Sequence, residues 1–180
     1  MRVISGEARR TLLTTPTGLN TRPTSDRAKE NLFNILNPRV QNARFLDIFS
    51  GSGAIGIEAM SRGASEAVFI ENAPNAIAAI KQNLIKTRFI NAEILPIHVI
   101  AALAQLKVAE RKFDIIFLDP PYESNLLEEV LQEIPTLLAP HGIIVAETDK
   151  TPPPEISGLT LTNVRQYGRT TFLFFETQER

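Results

Sequence analysis

The sequence has no cysteine among its 180 residues, which excludes a disulfide framework, a thiolate metal site and a cysteine nucleophile. It also lacks any stretch approaching the roughly 18 apolar residues of a membrane span. Its opening, MRVISGEARR, is too polar for a secretory signal. Together these absences lead to the expectation of a soluble, cytoplasmic protein. Net charge is nearly absent as well, at −1, which argues against a chain that grips nucleic acid over its whole surface. Internal repeats and low-complexity segments are missing. What remains is 43% hydrophobic and 22% charged, a balance that excludes wholesale disorder and a fibrous class. Domains mostly fall between about 50 and 250 residues, so one principal domain is expected.

The small net charge hides a local bias. Within the first thirty residues Arg2, Arg9, Arg10, Arg22, Arg27 and Lys29 face only Glu7, Asp26 and Glu30. Short apolar runs around Gly6-Glu7 predict a small β-ribbon from Met1 to about Pro16. Thr24 or Ser25 then caps a helix in which Ala28, Leu32, Phe33, Ile35 and Leu36 recur at helical spacing, with Pro38 as its stop. Beyond it strand and helix alternate. Strands are predicted at Arg44–Phe49, Ala67–Glu71, Ala92–Ile97, Phe113–Leu118 and, after a Pro140-His141-Gly142 turn, Ile143–Ala146. Helices are predicted at Ala54–Arg62, Pro74–Lys86, Ile100–Ala109 and Leu126–Leu138. That rhythm implies an α/β fold with a mostly parallel sheet covered on both faces. The tail alternates apolar and polar residues on both sides of Tyr167-Gly168-Arg169, which predicts a closing antiparallel hairpin.

The first strand of the alternating region runs into Gly51-Ser52-Gly53-Ala54-Ile55-Gly56, a G-x-G-x-x-G run that opens a helix. Glycines there let the main chain touch a ligand, and parallel sheets bind ligands at the carboxyl ends of their strands. Glu71 closes the second strand, where an acid can accept hydrogen bonds from both ribose hydroxyls of an adenosine, with Asn72 beside it. A nucleoside-containing cofactor is implied, either NAD or S-adenosyl-L-methionine. Asp47 favours the second: a dinucleotide would put a pyrophosphate near this carboxylate, whereas an ammonium or sulfonium suits it. Asp47 is accordingly assigned to the methionine end, and Gly51, Gly53, Glu71 and Asn72 to the rest of the cofactor. The alternative role for Asp47 is to orient the turn. The third strand ends Ile97-His98-Val99 and offers no acid for the adenine amine. A neutral His98 is the candidate acceptor, with backbone contacts as the alternative.

The most specific signal is Phe113-Asp114-Ile115-Ile116-Phe117-Leu118-Asp119-Pro120-Pro121-Tyr122, an apolar strand running into a rigid polar loop. Two prolines restrict φ and remove two amide donors, so that Asp119 and the Pro120 carbonyl are both acceptors. An exocyclic amine on a base is a poor nucleophile because its lone pair is delocalised into the ring. Two acceptors holding its two protons favour a pyramidal nitrogen whose lone pair points at a sulfonium methyl, which is alignment with electrostatic help. Tyr122 would stack on the base, which must then be single-stranded or flipped out. The chemistry requires neither a metal nor a covalent intermediate.

These residues carry a family resemblance. The chain resembles the bacterial small-subunit (16S) ribosomal RNA (guanine-N2)-methyltransferases of the D type. The likeness rests on Arg2-Val3-Ile4-Ser5-Gly6, on Leu19-Asn20-Thr21-Arg22-Pro23-Thr24-Ser25-Asp26-Arg27 with Glu30, Leu32, Phe33 and Asn34, on Leu46-Asp47-Ile48-Phe49-Ser50-Gly51-Ser52-Gly53, on Asp119-Pro120-Pro121-Tyr122, and on Tyr167-Gly168-Arg169-Thr170. It implies the Rossmann-like class I methyltransferase fold: a mostly parallel seven-stranded sheet, an antiparallel C-terminal hairpin, and a small N-terminal ribbon and helix. It also implies one domain over residues 1–180, with 1–38 an extension that contacts RNA and cofactor. The implied activity is methylation of one guanine in 16S rRNA during ribosome biogenesis, on the small subunit or its assembly intermediate, by a monomer. Arg9, Arg10, Arg22, Thr24, Arg27 and Arg165 would then contact RNA, with solubility and helix capping as their alternative roles. Three other readings stay open: adenine-N6 methylation of DNA or RNA, an NAD-dependent oxidoreductase, and a non-catalytic RNA-binding module.

Overall fold

The fold is described from a computed structural model, which describes residues 1–16, 25–121, 126–149 and 153–177. Its elements run α1 (Asp26–Val40), β1 (Arg44–Ile48), α2 (Ala54–Ser61), β2 (Glu66–Ile70), α3 (Pro74–Thr87), β3 (Ala92–Leu95), α4 (Val99–Val108), β4 (Phe113–Leu118), α5 (Leu126–Glu133), β5 (Leu138–Thr148), β6 (Leu159–Tyr167) and β7 (Thr170–Thr177). The strands form one seven-stranded sheet in the order β3-β2-β1-β4-β5-β7-β6. Strands β1 to β5 pair in parallel, and β7 is antiparallel to both β5 and β6. The strand order reverses between β1 and β4. In a doubly wound sheet a crevice opens at that point, at the carboxyl ends of the strands.

Both faces of the sheet are buried, which is why β1, β2 and β4 read as nearly continuous apolar runs. On one face Leu46, Ile48, Val68, Ile116, Leu118 and Ile144 pack with α4 and α5. On the other, Phe45, Phe69, Ile115, Phe117, Val145 and Phe172 pack with α1 and α2.

The sequence reading misplaces several boundaries, each for a physical reason. Helix α1 starts where Ser25 Oγ accepts the Ala28 amide at 3.1 Å, so Ser25 is the cap. It does not stop at Pro38: that proline lies within the last turn, and the helix continues to Val40, whose side chain is buried in the core. Arg39 secures the same turn by donating to the His141 carbonyl at 2.8 Å and to Glu176 at 2.7 Å. Helix α5 ends at Glu133, and a 3-10 turn over Pro135–Leu137 replaces its expected last turn. Strand β5 begins at Leu138 and runs through the expected Pro140-His141-Gly142 turn, which becomes an irregularity in the pairing of β4 with β5. The N-terminal ribbon reduces to a single bridge, Arg2 with Leu12, flanked by a few backbone bonds such as Val3 N to Thr11 O at 3.0 Å.

That short ribbon is held by side chains. Glu58 of α2, fully buried, accepts the amides of Ile4 at 2.8 Å and Ser5 at 3.0 Å. It also accepts from Arg62 at 2.8 Å and lies 3.3 Å from the buried ammonium of Lys29 on α1. Lys29 in turn donates to the Arg2 carbonyl at 2.6 Å. At the ribbon tip Gly6 has φ +83° and a Cβ there would lie 1.6 Å from the Ser61 carbonyl oxygen, so the contact requires glycine.

Removing one partner of a buried ion pair strands the other charge, at a cost of about 3–5 kcal/mol. Glu58→Gln, which keeps the shape but removes the carboxylate charge facing the buried Lys29 ammonium, should fall in that range. Lys29→Met should cost less, because Arg62 and two amides still satisfy Glu58. Urea denaturation followed by far-ultraviolet circular dichroism measures both, and equal losses would contradict this account of the network.

Candidate active site

The crevice at the strand reversal has two walls. The first is the turn after β1. Phe49, Gly51 and Gly53 all take positive φ, at +61°, +55° and +74°, and Gly53 is the left-handed residue preceding α2. Ser50 clamps the turn by donating its hydroxyl to the Asp47 carbonyl at 2.6 Å and its amide to the Ile70 carbonyl at 3.1 Å. Glu71, just beyond β2, is built into it: one carboxylate oxygen accepts the Gly51 amide at 2.9 Å, and the other accepts the amides of Asn72 and Ala73 at 2.8 and 2.9 Å. A Cβ placed on Gly51 would meet nothing within 4 Å, so the backbone here faces open space that a ligand can fill. The opposite holds at Gly56, where a Cβ would lie 2.4 Å from the Phe69 ring. Gly56 lets α2 lie directly on the sheet and brings its amide to Asp47 Oδ2 at 2.9 Å.

The second wall is the loop after β4. The Asp119 amide donates to the Ile48 carbonyl at 3.3 Å, which ties the start of that loop to the end of β1. Pro120 is buried and Pro121 exposed. In the sheet register Asp47 lies opposite Phe117, Phe117 opposite Val145, and Glu147 opposite Phe172. Side chains two apart on a strand share a face, so Asp47 and Glu147 project from the face of Phe117 and Val145, and Asp119, the first residue past β4, extends that row through its amide bond to Ile48. Their electrostatics agree with that placement. Burial, opposed by the Gly56 amide and reinforced by Glu71, pushes Asp47 up to about 8. Burial, then the charges of Glu147 and Asp47, hold Asp119 well above the usual carboxylate range.

On the Glu147 side a cavity of about 860 Å³ opens between the start of α1 and the β6–β7 turn. Arg27, Glu147, Asp149, Tyr167 and Arg169 line it, and Tyr167 leans on Phe172 with ring centroids 6.2 Å apart. Its volume falls in the range of ligand sites, about 300–1,000 Å³.

The structure therefore brings together Asp47, Gly51, Gly53, Glu71, Asp119 and Pro120, while Arg27 lines the cavity on the Glu147 side. Asn72 is exposed beside Glu71, and His98, also exposed, precedes α4 at the carboxyl end of the sheet. Arg9 and Arg10 are exposed at the ribbon tip, which packs on Ser61 at the far end of α2. Eight residues at 1.5 Å each put them roughly 12 Å from the glycine turn. Arg165 is exposed on β6. Arg22, Thr24 and Tyr122 lie outside the described residues. Sequence reasoning missed Glu147, Tyr167 and Arg169 as site residues. It also missed Asn83, which is buried on α3 and donates to the carbonyls of Ser52 and Thr14, both at 2.9 Å, stitching the glycine turn to the N-terminal segment. The signal available for Glu147 was an acid closing an apolar strand, as Glu71 and Asp119 do.

Comparison with known proteins converges on one group. A family model described as conserved hypothetical protein 95 matches residues 1–176. YlbH of Bacillus subtilis is 39% identical over 176 residues, covering 94% of this chain and 95% of its own. Ribosomal RNA small subunit methyltransferase D of Escherichia coli is 36% identical over 151 residues, covering 83% of this chain and 75% of its own. The solved structure of the putative methyltransferase yhhF from Escherichia coli superposes with a TM-score of 0.88 at 32% identity, covering 100% of this chain and 99% of that one. With the glycine turn, the Asp-Pro-Pro loop and the strand order already in place, these matches show that the chain belongs to the conserved hypothetical protein 95 family, the group of the D-type small-subunit ribosomal RNA methyltransferases.

Proposed function

We propose that this protein transfers a methyl group from S-adenosyl-L-methionine to the exocyclic N2 amine of one guanine in 16S ribosomal RNA, in the cytoplasm and during ribosome biogenesis. It acts as a monomeric single domain on the small subunit or its assembly intermediate, with residues 1–38 as the RNA- and cofactor-contacting extension. The observation that carries this reading is the apposition of the Asp119-Pro120 loop with the open glycine turn at the strand reversal. The rRNA methyltransferase name of the similar Escherichia coli protein supports the substrate class. Bound there, S-adenosyl-L-methionine supplies an electrophilic methyl on a sulfonium.

The residues divide the remaining work. Gly51 gives the cofactor backbone access, and Gly53 sets the turn into α2. Glu71, with Asn72 beside it, faces the ribose hydroxyls, and His98 is the side chain assigned to the adenine amine. Asp47 Oδ1 is assigned to the ammonium of the methionine end, directly or through water, while Gly56 engages Oδ2. Asp119 and the Pro120 carbonyl accept the two protons of the base amine, and Tyr122 stacks on the ring. Arg22, Thr24 and Arg27 lead the RNA toward the cavity, with Arg9, Arg10 and Arg165 as outer phosphate contacts that make binding salt-sensitive.

Small subunits purified from a strain lacking the enzyme should take up methyl groups from labelled cofactor, and mass spectrometry should place the label on guanine N2. Label on adenine would overturn the assignment. Asp119→Ala should lower the rate by about 10²–10³-fold, the usual loss for one preorganised polar contact, with the melting transition retained.

Asp47 gives a pH prediction. With its folded-state value raised to about 8, the ligand-free carboxyl holds a proton at neutral pH. A ligand ammonium favours the carboxylate, so binding must release that proton, and affinity rises as pH rises toward 8. Calorimetry with S-adenosylhomocysteine between about pH 6 and 7.5 should show tightening approaching tenfold per pH unit, with proton release. Asp47→Asn should bind more weakly and without that slope. An unchanged slope in the variant would remove Asp47 from the cofactor site.

A further inference from the structure

We propose that Glu147 determines base specificity at this same site, accepting the N1–H of the target guanine while Asp119 and the Pro120 carbonyl hold the N2 amine. The inference rests on the guanine-N2 reading above and deepens it. Three features of the fold carry it. Parallel pairing of β4 with β5 sets Leu118 opposite Ala146, so Glu147 follows at the level of Asp119, from the same face and one strand away. Glu147 also lines the cavity beside the β6–β7 turn, so a base that enters this cavity and reaches across to Asp119 passes its neighbouring ring atom by Glu147. The same cavity offers Tyr167 as an aromatic wall and Arg27 and Arg169 as cations at its rim, the groups that suit a splayed-out nucleotide.

The chemistry of the base edge then selects the base. Guanine presents two adjacent donors, N1–H and the N2 amine, which match two carboxylates side by side. Adenine presents an N1 lone pair next to its amine, and that lone pair would face the Glu147 carboxylate. Glu147 is 2% exposed, so water cannot relieve the mismatch. Sites built around a buried polar partner reject an analogue lacking the matching group by about 10⁴–10⁵-fold. Sequence reading could not choose between guanine and adenine from the Asp119 loop alone, since that loop handles either amine; a second acceptor beside it supplies the choice.

The test uses small subunits reconstituted with rRNA in which the methylated guanine is either retained or replaced by 2-aminopurine. The analogue keeps the amine on the same ring carbon but carries a lone pair at N1. The wild-type enzyme should lose at least about 10²-fold in kcat/KM on the analogue, a lower bound because a flexible loop base can readjust. Glu147→Gln, whose amide can turn a donor toward N1, should narrow that ratio by at least about tenfold. Glu147→Asp should be slower while keeping the preference for guanine. Wild-type enzyme that uses both bases equally overturns the inference whether or not any variant folds. So does a Glu147→Gln enzyme that binds S-adenosylhomocysteine normally and keeps the wild-type ratio. Failure of the underlying reading looks different: no methyl group would appear on guanine in the unmodified subunit.

Discussion

Parallel pairing between β1 and β4 is the constraint on which the rest of the site depends. Phe45 to Ile48 run beside Ile115 to Leu118, and the ladder is extended by the Asp119 amide reaching back to the Ile48 carbonyl. Because both strands point the same way, the two segments that follow them leave the sheet at the same edge, next to each other. One is a glycine turn open to a cofactor, the other a loop whose prolines leave acceptors exposed. Neither could act on a bimolecular reaction alone. The pairing brings two local motifs, separated by more than sixty residues of chain, to one edge of the sheet, where the proposed reaction needs both.

What secures that pairing is burial on both sides of the sheet. Large aromatics fill the α1–α2 face, where Phe117 meets Phe172 edge-on with centroids 6.4 Å apart. Along the same row the side chains change from apolar to acidic at the carboxyl ends: Phe45 gives way to Asp47, Phe117 to Asp119 and Val145 to Glu147. The period of two residues therefore aligns the acids as strictly as it aligns the core. The N-terminal segment is anchored differently, through Lys29, Glu58 and Arg62, since a ribbon with a single bridge buries too little apolar surface to hold itself.

Much of this was legible in the sequence where a local rule operates. Apolar runs separated by helical spacing gave the order of β1 to β5, and the glycine run and Asp119-Pro120-Pro121 marked both walls of the crevice. The misreadings occur where tertiary packing outweighs a local signal. Pro38 lacks an amide donor, but the burial of Val40 and the contacts of Arg39 keep the helix going past it. The Pro140-His141-Gly142 segment has turn chemistry, yet the edge left by β4 recruits it as an irregular start to β5. Glu71 illustrates a subtler limit. Its spacing from Gly51 identified the right neighbourhood, but only the folded chain shows that it already accepts the Gly51 amide. Glu147 carried a local signal as an acid closing an apolar strand, but its meeting with Tyr167 and Arg169 in one cavity depends on β7 pairing with β5, which the hairpin pattern alone does not specify.

Asp47 and Asp119 are unfavourable for folding, since desolvation and the charges of neighbouring acids both resist their ionisation. A chain selected for stability alone would replace at least one of them by an amide or an apolar residue. On the proposed function their retention has a reason, because ligands answer them: an ammonium at Asp47, which otherwise accepts the Gly56 amide, and an amine at Asp119. In that view the free enzyme holds protons that its ligands displace, and the same low-dielectric pocket that raises the acids makes each arriving donor count for more. A cofactor lacking its ammonium would leave Asp47 with the Gly56 amide alone, in a place where water cannot help. Selectivity and instability would then have one source, the depth at which the sheet buries the ends of β1, β4 and β5.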